Sequence, residues 1–394
     1  MTGRPLDGIT VVSLEQAVAA PFATRQLADL GARVIKVERP GKGDFARGYD
    51  ETVHGQSSYF VWLNRSKESV TLDLKSEDGR LILDELLAGA DVFVQNLAPG
   101  AAARMGLGAP ELAGRFPRLV VCDVSGFGAS GPWAGRKAYD LLVQAESGLM
   151  SLTGTPADMV KVGISVADIA AGMYAYSGIL TALLQRANTG HAPAVEVSLF
   201  EALAEWMGSP AYYTEYGGSA PERVGGQHAT IAPYGPYPTA SGDVLVIAVQ
   251  NDREWARFCA DLLADEGLAT DPRFARNSAR VANRAVLNDL IAARLSDLDT
   301  DAAVKLLDAA GIANARLRTM PQFLDHPVLA GRGRWHEVGT PGGPVRALQP
   351  PVTLGGVRPR MDPVPAVGEH TGEILRALGR TDTEIDRLRA DRVI

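Results

Sequence analysis

A strand and helix alternation runs through the first third of the chain and constrains its fold more than any other feature. Short apolar, β-branched runs at residues 9–14, 34–37, 70–74, 92–94 and 119–124 are separated by segments with helical signals. One such segment spans 21–31 and stops at Gly31, and another is opened by Ser76 with Glu77 and Asp78 in its first turn. Acidic residues belong at a helix start, where they face the positive end of the helix dipole. Strands interleaved with helices make parallel sheets, because a parallel neighbour is reached only through a crossover. The expectation is therefore an α/β fold with helices flanking a parallel sheet.

At 394 residues the chain exceeds the size at which a single core usually stops growing, so one large or two smaller domains are expected. Residues 1–207 carry the alternating pattern, and 208–240 turn to Gly, Pro, Tyr and Ser, which reads as a loop-rich connection. A strand at 244–249 and amphipathic helices at 253–263 and 280–295 suggest a small α+β domain over 241–330. Residues 331–394, Gly/Pro-rich over 339–368 and helical at 373–378 and 382–389, read as a segment crossing back to the first domain. Between Asp168 and the stop at Asn188-Thr189-Gly190 lies a long helix whose Ala170, Ala171, Gly172 and Gly178 let other backbone approach closely.

Charge and cysteine content exclude several function classes. A net charge of −7 with scattered Lys and Arg leaves no footprint for nucleic acid. The N-terminus lacks the apolar stretch of a signal peptide, and no run is expected to reach bilayer length, so a cytoplasmic protein without a membrane part is the expectation. Cys122 and Cys259 stand far apart without metal-site companions, and His191, His326 and His370 show no ligand spacing. Neither a metal nor a tightly bound cofactor is expected.

The motifs divide by context. Residues 126–131 (GFGASG) match a dinucleotide fingerprint after a strand, but Pro132 and Trp133 follow where a helix must open, so a tight turn is expected. The segment ERPGKGD at 38–44 leaves a strand end with glycines around Lys42 but lacks the Ser or Thr of a Walker A loop. Arg39, Lys75, Arg104 and Lys137 each follow a strand; if they converged they would hold phosphates, and singly they are surface charges. Asp168, at the start of the long helix among small residues, is open to two readings: an N-cap, or a nucleophile whose ionised form the helix start favours. His228, in GGQHATIAPYGPY, sits in a composition suited to a site-lining loop.

Taken together, PLDGITVV, APFATRQLADLGARVIKVERPGKGD, NRSKESVTLDLK, QNLAPGAAARMG, KAYD, VADIAAGM, NTGHAPAVEVSLFEAL, DPRFARNSARVANR and GEHTGEILRALG carry a likeness over nearly the whole length. The chain resembles the class III CoA transferases, the group that includes formyl-CoA transferase and carnitine CoA transferase. The resemblance implies a large Rossmann-like domain built from both chain ends, a smaller α+β domain and an interlocked homodimer. It places the nucleophile at Asp168, within VADIAAGM, and implies that CoA moves between an acyl-CoA and a carboxylic acid through a mixed anhydride and an aspartyl-CoA thioester. CoA recognition maps to Val18, Arg39, Leu72, Lys75, Asn96, Leu97, Arg104, Lys137 and Tyr139.

Departures from the family pattern are informative. Asp140 stands where formyl-CoA transferase has Glu, Val18 where it has a site glutamine, and Tyr49 near its site tryptophan. Gly225 and Gly226 answer a run of four glycines that would supply backbone donors to an oxyanion. Gln227, His228 and residues 231–234 look like the segment of members acting on dicarboxylic acids such as succinate. The rival within the family is a 2-methylacyl-CoA racemase, whose histidine is replaced here by Tyr139; an acyl-CoA binding protein without turnover is the rival of another class.

Overall fold

A computed structural model of the chain describes residues 3–394 and divides into two compact units. The first takes the described residues up to Ser147, then Gly163–Met207 and Val328–Ile394; the second takes Gly148–Val162 and Gly208–Pro327. Residues 148–162 thus leave the first unit, and 208–240, read as a connection, hold a helix (Gly208–Gly217) and a strand (Tyr234–Pro238).

The first unit is built on six parallel strands, β1 (Thr10–Leu14), β2 (Arg33–Glu38), β3 (Lys67–Thr71), β4 (Val92–Gln95), β5 (Val120–Ser125) and β6 (Val195–Ser198), in the order β3-β2-β1-β4-β5-β6. The order reverses between β1 and β4, which opens a crevice at their carboxyl ends. Val12, Leu14, Ile35, Val37, Phe93 and Val121 face one core with Ile82, Leu86 and Leu112 from the covering helices. Ile374, Leu375, Ile385 and Leu388 from the final segment complete that core.

β3 differs from the apolar run expected at 70–74: it begins at Lys67 and ends at Thr71. Lys67 and Ser69 are buried polar residues whose partners come from elsewhere in the fold, so an apolar pattern could not mark the strand start. Its open side is covered by the returning chain. Ser69 N–H donates to His370 Nδ1, His370 N–H to Ser69 O, and Thr71 N–H to Thr371 Oγ1, which occupies backbone groups an edge strand would leave free.

The long helix spans Val166–Thr189, and Gly190 closes it in the left-handed conformation at φ 77°. Against the expectation from the sequence, it is long and apolar enough by length and composition to cross a membrane. Its buried stripe of Ala167, Ala170, Ala171, Ala175, Ile179 and Ala182 is used inside the unit instead. At Gly172 the first helix (Ala19–Asp29) comes so near that an added Cβ would lie 2.7 Å from Ala19 O.

The second unit holds an antiparallel sheet of Tyr234–Pro238, Val244–Ala248 and Ala313–Arg316. Its helices pack over a core centred on Trp255, Phe258, Phe274, Leu287 and Ile291. The helical pattern expected over 280–295 is broken at Asn283 into Asn277–Ala282 and Arg284–Leu295.

Candidate active site

The carboxyl end of the parallel sheet carries the candidate residues. Arg39 follows β2, Lys75 follows β3, Arg104 lies in the short helix after β4 (Ala101–Arg104), and Lys137 lies in the segment after β5. All four side chains are exposed, and none forms an ion pair or side-chain hydrogen bond among the described residues. Unpaired cations on neighbouring strand ends suit an anionic ligand at the sheet's carboxyl edge. Asn96 spans the switch point itself, with Oδ1 accepting from Gln16 N–H at 2.8 Å and Nδ2 donating to Gln16 O at 2.8 Å.

Leu72 and Val18 are only 2% and 3% exposed. Leu72 belongs to the main core, so side-chain contact with a ligand, as an apolar neighbour of a purine would make, is closed to it. Leu72 N–H is committed to Glu38 O at 2.9 Å, and Val18 O accepts from Phe22 N–H at 2.8 Å. Leu97 is half-buried against the same core, and its N–H is held by Gln95 Oε1 at 2.7 Å.

Asp168 is not the N-cap. Ser165 precedes the helix, and Asp168 sits in its first turn with no hydrogen bond to its carboxylate among the described residues. The capping acceptor comes from another segment: Asp140 Oδ1 accepts from Ala167 N–H at 2.8 Å, while its Oδ2 accepts from Gln144 Nε2 at 2.7 Å. Burial, and then the neighbouring Asp140 carboxylate, push the Asp168 carboxyl up to about 7. A helix start pulls the other way by only about 0.3–1 kcal/mol, whereas a shift of this size corresponds to several kcal/mol, so desolvation and like charge win. The stabilisation of the ionised form expected from the helix start is overridden.

Tyr49 and Tyr139 stand by this carboxylate. Burial, with the charges of Asp44 and Asp168 nearby, pushes the Tyr49 phenol up to about 12, so it remains a hydrogen-bond donor at neutral pH. Tyr49 meets Tyr59 edge-on at 5.6 Å and Phe45 at 5.8 Å, making an aromatic wall. Tyr59 had no mark in the sequence beyond its aromaticity. The structure thus brings Tyr49, Tyr139, Asp140 and Asp168 together within the first unit.

Beneath them lies a buried charge network that the sequence reading missed. Lys36 Nζ contacts Asp44 Oδ2 at 2.7 Å and Glu15 Oε1 at 3.4 Å, and Lys67 Nζ contacts Glu15 Oε1 at 2.6 Å. Burial, only partly offset by Glu15, lowers Lys67 to about 7, whereas against the same burial Asp44 and Glu15 hold Lys36 above its ordinary value, so Lys36 carries the settled positive charge between the two carboxylates. Asp44 Oδ1 also accepts from Ala17 N–H at 3.1 Å, holding a non-glycine residue at φ 61° in the turn between β1 and the first helix. A lysine inside the apolar strand RVIKVE was the signal available in the sequence.

Gly225, Gly226 and His228 belong to the second unit. Gly225, at φ 66°, commits its N–H to Gly154 O at 2.8 Å, so it is not a free oxyanion donor in this arrangement. His228 stacks on Tyr234 at 5.2 Å, and its Nδ1 accepts from Thr230 N–H at 3.2 Å. The thiols of Cys122 and Cys259 are both buried and both pushed upward by that burial, Cys259 to about 12, which leaves them unreactive at neutral pH.

Residues 6–371 match the model of CoA-transferase family III. The chain is 34% identical over 383 residues to the succinyl-CoA:glutarate CoA-transferase of Mus musculus, which covers 96% of this chain and 87% of that protein. It is also 34% identical over 396 residues to the succinyl-CoA–D-citramalate CoA-transferase of Chloroflexus aurantiacus, covering 99% and 98% of the two chains. Among solved structures, a CAIB/BAIF family protein from Brucella suis matches with a TM-score of 0.83 at 34% identity, covering 96% of this chain and 100% of that one.

Proposed function

The chain belongs to CoA-transferase family III, and from that membership we propose that it exchanges CoA between a dicarboxylic acyl-CoA, such as succinyl-CoA, and a second carboxylic acid, with Asp168 as the nucleophile. It is an enzyme that takes CoA thioesters as substrates. The observation that carries the mechanism is the Asp168 carboxylate itself, free of hydrogen bonds among the described residues, beside a second carboxylate and on a helix turn whose neighbours in sequence, Ala167, Ala170, Ala171 and Gly172, are small. A carboxylate that is poorly solvated is a better nucleophile than one held by donors, and small neighbours leave room for a thioester.

In the first step a carboxylate oxygen of Asp168 attacks the thioester carbonyl, the C–S bond breaks, and CoA leaves as thiolate. The thiolate then attacks the Asp168 carbonyl of the mixed anhydride, releasing the first acid as its carboxylate. The acceptor carboxylate attacks the aspartyl-CoA thioester and expels the thiolate again. Attack of thiolate on the acceptor's acyl carbon yields the new acyl-CoA and restores the Asp168 carboxylate. No proton is consumed over the cycle, so the site needs charge stabilisation more than acid–base exchange.

Arg39, Lys75, Arg104 and Lys137 would meet the phosphates of CoA, and the Tyr49 phenol would donate to the developing oxyanion or to the acid. The names of the two relatives, each with succinyl-CoA as donor, support the choice of donor. A matrix of acyl-CoA donors and acid acceptors, read by mass spectrometry, tests it. Exchange from succinyl-CoA is expected, with a CoA adduct on the peptide containing Asp168; full exchange by Asp168→Ala would sink the mechanism.

A further inference from the structure

We propose that Gly126 is a positioning residue: the absence of its side chain seats Ala138, and this fixes residues 137–140 across the active site. The inference rests on the proposed role of that segment in CoA transfer.

The glycine-rich loop at 126–131 opens no helix, and its hydrogen bonds show what it is built on instead. Gly128 N–H donates to Ser125 Oγ at 3.0 Å, Ala129 N–H to Glu196 Oε1 of β6 at 2.7 Å, and Phe200 N–H to Gly126 O at 3.1 Å. Phe127 packs edge-on against Trp133 at 5.1 Å and against Phe200 at 5.9 Å, and Arg136 lies over the Trp133 ring at 4.0 Å. The segment is therefore folded back onto the ends of β5 and β6.

At its base, a Cβ on Gly126 would overlap the Cβ of Ala138 and meet its Cα and N at 3.6 Å. Gly126 is not in the left-handed region, so the backbone would accept alanine, and the three atoms nearest to the added methyl all belong to Ala138. Ala138 stands between Lys137 and Tyr139, and consecutive Cα atoms are only about 3.8 Å apart, so displacing it displaces both. The other end of the strip is pinned by Asp140 to Ala167 N–H, beside Asp168. One methyl group in this contact sets the strip in register with the nucleophile.

The test is a reciprocal swap measured on the full chain. Gly126→Ala is expected to lower kcat/KM for the CoA thioester by about 10- to 100-fold, as misplacement of catalytic groups by an ångström does, while Tm changes little. The double variant Gly126→Ala with Ala138→Gly keeps one methyl in the contact and should return to within about threefold of wild type, an outcome that a general loss of stability would not give. Should Gly126→Ala fail to fold, Ala138→Gly alone, which empties the contact without a clash, is expected to cost about tenfold by loosening the strip. Unchanged kinetics in the folded single variants, or a swap that stays impaired, would overturn the role of Gly126. A wild-type chain that moves no CoA, or one indifferent to Asp168→Ala, would instead remove the reading on which the role rests.

Discussion

As the proposed nucleophile, Asp168 must be ionised to attack, and its carboxyl is pushed up to about 7. kcat/KM should therefore rise about tenfold per pH unit below 7 and level off above it. Asp140→Asn keeps an oxygen for the Ala167 N–H but removes the like charge, so the acidic limb should move to lower pH; a limb that stays in place would assign the whole shift to burial. The same group bears on stability. Because its folded pKa lies above the unfolded value near 3.8, its contribution to stability is fully present below that value and is lost as pH rises through about 7. Asp168→Asn should thus raise Tm relative to wild type by a few degrees at pH 8 and hardly at all at pH 4, measured by calorimetry.

The β1 strand, the turn after it and the first helix depend on charges buried beneath them. Ala17 at φ 61° occupies a region that costs an alanine on the order of 1 kcal/mol, and the Asp44 carboxylate and the Asn96 amide together offset that cost. Lys36→Met leaves Asp44 without its ammonium partner and should destabilise the protein by about 3–5 kcal/mol in denaturant unfolding. A loss under about 1 kcal/mol would mean that the network relaxes with water and does not hold the turn. The Asp168 helix shows the opposite strategy. Alanine and glycine make up its packed face from Ala167 to Ala175, so close approach of the first helix at Gly172 replaces bulky side-chain burial there.

The whole molecule leaves large apolar side chains exposed on the first unit. Leu141, Leu142, Leu184 and Trp206 are 47%, 49%, 63% and 48% exposed, and the family likeness leads us to propose an interlocked homodimer. Light scattering after gel filtration should give twice the mass of a 41.7 kDa chain, and a monomer at micromolar concentration would contradict it. The alternating pattern determined the parallel sheet, because hydrophobic periodicity and helix punctuation are local properties of the chain. The motif likeness singled out Asp168, Asp140 and the four strand-end cations for the same reason. Three things were decided only by the tertiary structure. Asp140, not Asp168, caps the long helix; Leu72 and Val18 turn inward; and Lys36, Lys67, Glu15 and Asp44 share one buried cluster. The physical reason is common to all three. Whether a side chain caps, pairs or is buried depends on segments tens of residues away, and sequence spacing records only the neighbours along the chain.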